Sequence, residues 1–187
     1  MKKLSIFILV LSLMLISASA LADSHMNMAK QGTWTLGIDY DMGGTLTETD
    51  QNEDENDVNG GFTLNGEYVI PYKNNMSYGG GVAYQLSRSF TDNEAKEVNF
   101  MPLYGIFKYD MENEAYVIGH LGYNIFSGSD AYKDNEELSG GLYYAAGAGI
   151  DMQEKYNGEL IYSVNKGTRG NYDVSYSKLS LSFGYEF

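Results

Sequence analysis

The chain has 187 residues, enough for one domain once an export leader is set aside. It contains no cysteine, which excludes disulfides, thiolate metal sites, a cysteine nucleophile and the acceptor thiol of a lipoprotein. With 12 basic and 25 acidic side chains the formal net charge is −13, so a nucleic-acid footprint is excluded too.

Lys2 and Lys3 followed by the apolar run 4–16 read as a secretory signal. Thirteen helical residues span roughly 20 Å, too short for a hydrocarbon core of about 30 Å. Ala20 and Ala22 form an A-x-A cleavage site, with the cut expected after Ala22 or, as the alternative, after Ala20. The expected organisation is a cleaved signal over 1–22, a short tail over 23–31, and one domain over 32–187. Seventeen tyrosines and 22 glycines beside only 2 prolines fit strands, not helices or disorder.

From residue 32 onward, eight segments alternate apolar with polar or small residues, the period-2 signature of strands with one apolar face. The first sets Trp34, Leu36, Ile38, Tyr40 and Met42 against Asp39 and Asp41. The second sets Phe62, Leu64, Tyr68 and Ile70 against Thr63, Asn65 and Glu67. The third sets Tyr78, Val82 and Tyr84 against Gly79, Gly81 and Ala83. In the fourth, Lys108 belongs on the polar face, which puts Met101, Leu103, Phe107 and Tyr109 opposite and leaves Tyr104 and Ile106 on the polar side. The fifth sets Val117, Leu121, Tyr123 and Ile125 against Tyr116, His120 and Asn124. The sixth sets Leu142, Tyr144 and Ile150 against Tyr143 and Asp151. The seventh sets Tyr156, Leu160 and Tyr162 against Glu159, and the eighth Leu179, Leu181, Phe183, Tyr185 and Phe187 against Lys178. The connections alternate between long links (43–60, 88–97, 127–139, 165–173) and tight turns near 71–75, 110–114 and 153–155, the pattern of an up-and-down barrel.

Volume decides which face looks outward. Eight strands enclose little space, so the large apolar set cannot point inward, whereas small and charged groups fit a narrow polar lumen. Trp34 and Tyr40, Tyr78 and Tyr84, and Tyr156 and Tyr162 are each six residues apart. That interval rises roughly 15 Å along a tilted strand, placing rings toward both edges of a lipid band. The expected fold is therefore an all-β, eight-stranded antiparallel transmembrane barrel. Export and an even strand number place both termini in the periplasm of a double-membraned bacterium, with the acidic links outside.

Three stretches carry a resemblance. Leu179-x-Leu181-x-Phe183-x-Tyr185-x-Phe187 resembles the C-terminal signal read by the barrel-assembly machinery. Asn59-Gly60-Gly61-Phe62 with Glu67-Tyr68, and the glycine-rich segment 141–149, are similar to strands of the small eight-stranded outer-membrane barrels. That family holds outer membrane protein X, the barrel of outer membrane protein A and the opacity proteins. The resemblance implies contact with outer-membrane lipid and lipopolysaccharide, assembly through Phe183, Tyr185 and Phe187, and a role in adhesion or envelope integrity, with a host or surface ligand on the loops.

No cofactor, metal site or catalytic residue is expected. His120 lacks the nearby serine that a lipid A acyl hydrolase would need, and its parity points it into the lumen. The acidic run 50–57 starts like a calcium loop but has Glu55 where glycine is required and Gly61 where the closing glutamate belongs, so it reads as a solvated loop. In the lumen, Asp39, Glu67, Asp151 and Glu159 are expected to pair with Lys108 and Lys178, with His120 hydrogen-bonded among them. The expected function is a non-enzymatic surface protein. The alternatives are a lipid-modifying enzyme and a narrow pore for small solutes.

Overall fold

In the computed structural model the described residues are 32–50, 53–153 and 155–187. The expected signal peptide and tail lie outside them. Among the described residues the strands are β1 (Thr33–Thr49), β2 (Glu53–Val58), β3 (Gly61–Pro71), β4 (Met76–Gln85), β5 (Arg88–Ser89), β6 (Glu97–Asp110), β7 (Ala115–Gly128), β8 (Leu138–Met152), β9 (Tyr156–Arg169) and β10 (Tyr172–Glu186), with a short helix, α1 (Asp130–Lys133). Eight of them form the wall, each antiparallel to its neighbours in the order β1, β3, β4, β6, β7, β8, β9, β10. Pairing of β1 with β10 closes the ring, and Phe187 exchanges backbone hydrogen bonds with Trp34 at the seam. Closure leaves no strand edge inside a bilayer, where an unpaired backbone group would cost several kcal/mol.

Burial follows the strand parity read from the sequence. Leu36, Ile38, Tyr40, Leu103, Phe107, Leu121, Leu160 and Leu181 are exposed, whereas Thr63, Glu67, Tyr104, Ile106, His120, Glu159 and Lys178 are buried. Large apolar groups outside and polar groups inside match a lipid-facing wall. Trp34, Tyr68, Tyr78, Tyr156 and Tyr185 ring the turn end. Trp34 lies 4.8 Å from Tyr68, and Tyr156 lies 5.3 Å from Tyr185. Tyr40 and Phe62, 5.6 Å apart, belong to the opposite ring.

The loop end departs from expectation. The link 43–60 is not a solvated loop: β1 runs on to Thr49, and β2 pairs with it from Gly44↔Val58 to Thr49↔Glu53. Likewise 165–173 is not a long link, because β9 and β10 continue to a two-residue turn at Gly170-Asn171. Parts of the other two long links are β5 and α1. In sequence these arms look like loops because their outward positions, such as Thr45, Thr47, Ser175 and Ser177, are polar, and the bulge at Gly43 shifts the parity of the few inward apolar ones.

Two irregularities let the arms form. β1 carries an extra residue between Asp41 and Gly44 opposite β10, and Gly43 takes up the positive φ of 96° there. β8 carries another between Gly140 and Tyr143 opposite β9. A bulge reverses which side chains point inward. Beyond the first one, Leu46 and Glu48 face the interior. Leu46 joins Val58, Phe90, Val98, Phe100, Phe126, Tyr132, Val174 and Tyr176 in an apolar cluster that fills the loop end. Phe100 stacks on Phe126 at 4.5 Å and on Tyr176 at 5.4 Å.

Candidate functional site: the barrel interior and its loop end

The lumen is filled in successive levels. Beneath the apolar cluster lies Asp41, with a fully buried side chain. Its Oδ2 accepts from Arg88 Nη2 at 2.8 Å, Lys178 Nζ at 2.7 Å and Thr63 Oγ1 at 2.8 Å, while Oδ1 accepts from Ser180 Oγ at 2.7 Å. One carboxylate thus faces two buried cations, and every short contact is charge-assisted. Arg88 enters from the link after β4, a region the sequence reading left outside the barrel. Parity places Asp41 on the polar face, but nothing in the pattern sets it apart from Asp39. Its bulge and Arg88 leave little local trace, since the two are 47 residues apart.

The next level departs from the expected ion pairs. Lys178 turns to Asp41, not to Asp39, Glu67 or Glu159. Asp39 accepts from Asn65 Nδ2 at 2.7 Å, Glu67 from the Tyr104 hydroxyl at 2.7 Å and Glu159 from the Tyr116 hydroxyl at 2.7 Å. Tyrosine hydroxyls do the work expected of lysines because the long inward rings of β6 and β7 reach across the lumen. His120 stacks on Tyr104 at 4.5 Å; its Nδ1 lies 3.5 Å from the Tyr143 hydroxyl, and its Nε2 stops 3.9 Å from Glu67 Oε1, too far for a hydrogen bond. At the turn end Lys108 reaches Asp151 at 3.1 Å and Asp110 at 3.8 Å, and sits over the Tyr116 ring at 3.6 Å. The Lys108–Asp151 pair is the expected one.

Among the described residues no group of three histidine or acidic side chains converges as a metal site. His120 is buried inside the barrel, away from the wall where an acyl chain would lie. Phe183, Tyr185 and Phe187 are on the exposed face of β10.

Outside the bilayer span, Glu48 ties the arms together. Arg169 forks onto its carboxylate at 3.0 and 2.6 Å, and the Tyr132 hydroxyl donates at 2.5 Å. Burial pushes the Glu48 carboxyl up, but the Arg169 guanidinium and Tyr132 hydroxyl more than offset it and hold it below its ordinary value. A depressed carboxyl contributes stability above its unfolded value near 4.5, and loses it as pH falls through the folded value. Acidification below pH 4.5 and on through the folded value is therefore expected to release α1 before the barrel wall opens. Protease cleavage near α1, followed against pH, should rise there and should be high at all pH values in Glu48→Gln. A flat profile in the parent would count against this linkage.

A family model for the outer membrane protein beta-barrel domain matches residues 8–187. The chain belongs to this family. It is an outer-membrane β-barrel protein of the small, eight-stranded type. Among solved structures it is similar to Ail, the attachment invasion locus protein of Yersinia pestis, at 17% identity over 83% of this chain and 99% of that chain, with a TM-score of 0.55. Neisserial surface protein A is similar at 10% identity over 86% of this chain and 100% of that chain, with a TM-score of 0.52. These likenesses concern the barrel fold. No curated protein matches in sequence.

Proposed function

We propose that this protein is a non-enzymatic surface anchor that takes part in attachment through its acidic loop end. The carrying observation is that the apolar cluster closes the lumen at the loop end, which leaves the outer surface of that end as the face free to engage a partner. Asp54, Glu55 and Asp57 on the arm, Asp92 and Glu94 before β6, Glu97 at its first residue, and Glu136 and Glu137 after α1 are exposed there. Against them stand Lys96, Lys133 and Lys166. Such a field attracts cationic partners and favours fast, salt-sensitive encounter. The similarity to a protein named for attachment and invasion fits this reading. An even strand number puts both termini at the turn end, which export would leave in the periplasm. There Phe183, Tyr185 and Phe187 would serve assembly, and the wall would contact lipid and lipopolysaccharide.

Cells displaying the protein should adhere to a cationic surface several-fold better than cells displaying Asp54→Asn/Glu55→Gln/Asp57→Asn, and added salt should erase the difference. Equal adherence at low salt, with equal surface levels, would overturn the reading. In the same preparations lipid A and phospholipids should keep their masses. A His120-dependent change in acyl content would overturn the non-enzymatic half.

A further inference from the structure

Between the Asp41 cluster and the Glu67 and Glu159 carboxylates lies a chamber of about 30 Å³. That volume suits water or one small ion and excludes an organic solute. Its charge is unbalanced. Three carboxyl groups, Asp39, Glu67 and Glu159, line it against one cation, Lys178, whose ammonium is engaged on Asp41; Arg88 is likewise on Asp41 and Lys108 on Asp151.

A second observation is independent of the carboxylates. Gln85, Ser163 and Asn165 also line the chamber and are almost wholly buried, at 1%, 3% and 1% exposure. Among the described residues the Gln85 amide, Ser163 Oγ and Asn165 Oδ1 have no hydrogen-bond partner. Buried polar atoms left in this state carry an uncompensated desolvation penalty, so a native barrel holds something against them. Three neutral oxygens among three carboxylates form an acceptor-rich shell. Metal-type convergence of acidic and histidine groups is absent among the described residues, which disfavours a chelated divalent ion.

We propose that this chamber binds one dehydrated monovalent cation. The cation offsets the excess negative charge and satisfies the amide and hydroxyl oxygens of Gln85, Ser163 and Asn165. Its way in is from the turn end, where a second cavity of about 150 Å³ shares Glu67 and Glu159 with the chamber. The loop side is closed by the apolar cluster. The chamber thus holds an ion and does not conduct one.

Binding to the folded state alone raises stability with ligand concentration, which gives the test. The purified protein is unfolded with urea in matched chlorides of sodium, potassium, ammonium and choline, at one pH and ionic strength, with Trp34 fluorescence as the readout. Choline is too large for the chamber and reports ionic strength only. At least one small cation is expected to raise the midpoint saturably over choline, and the ranking among the three identifies the ion that fits. Glu159→Gln and, separately, Ser163→Ala should reduce that increment at least several-fold, with folding of each variant shown by heat-dependent gel mobility. Equal midpoints in all four salts would overturn the proposal and leave the chamber to water. So would an increment that survives both substitutions, because it would then arise outside the chamber.

Discussion

Replacing Asp41 with leucine is expected to destabilise the barrel by about 3–5 kcal/mol, the range for removing one partner of a buried ion pair. The cost arises from what remains. Arg88 and Lys178 have side chains 2% and 7% exposed, and both would stay in the lumen without a counter-charge. Thr63 and Ser180 would lose their acceptor as well. Urea unfolding in lipid vesicles, followed by Trp34 fluorescence, measures the loss. The triple variant Asp41→Leu/Arg88→Met/Lys178→Met separates two explanations. If the penalty is stranded charge, the triple variant should recover most of it, since apolar replacement of a whole buried charge group is often neutral. A cost below about 1 kcal/mol for the single variant would mean that water reaches the two cations and overturn their sealing from solvent.

The second large effect belongs to the opposite face of the same wall. Among the described residues Leu121 is the most exposed large hydrophobic one, at 64%, and lies mid-strand on β7. In a water-soluble barrel Leu121→Arg would change stability by no more than about 0.5 kcal/mol. On a lipid-facing wall it should cost about 2–4 kcal/mol near the bilayer midplane. A matched substitution at Ser175, outward on the β10 extension beyond the lipid band, should be nearly silent. Vesicle unfolding of the two variants side by side tests the assignment, and equal, small effects would remove the lipid from Leu121.

The wall was legible because every membrane strand must repeat the same two-sided code, and one fixed point sets the parity of a whole strand. Lys108 alone placed Tyr104 and Ile106 inside, where both are buried. The lumen contacts were less legible. Parity gives the face but not the height or the reach of a side chain, so it assigns lysines to Glu67 and Glu159 where Tyr104 and Tyr116 stand nearer. Arg88 was missed because its inward course is set by β5 pairing with Val98 and Glu97, not by a pattern around it. The acidic arm was missed because the bulge at Gly43 breaks the alternation just where a loop was expected.

The two bulges lie where the chain changes solvent. On β10 Leu179 faces outward and Lys178 inward; a few residues earlier Ser177 faces outward and Tyr176 inward. Strands without a bulge make this exchange by composition, and β1 and β8 make it by adding a residue. The result is a fixed waterline around the barrel, with greasy outer skin on one side of it and a greasy centre on the other. A barrel built this way cannot slide along the membrane normal without immersing Ser175 and Ser177 in hydrocarbon or wetting Leu179. In a bilayer of unmatched thickness, the lipid has to thin or thicken around the protein.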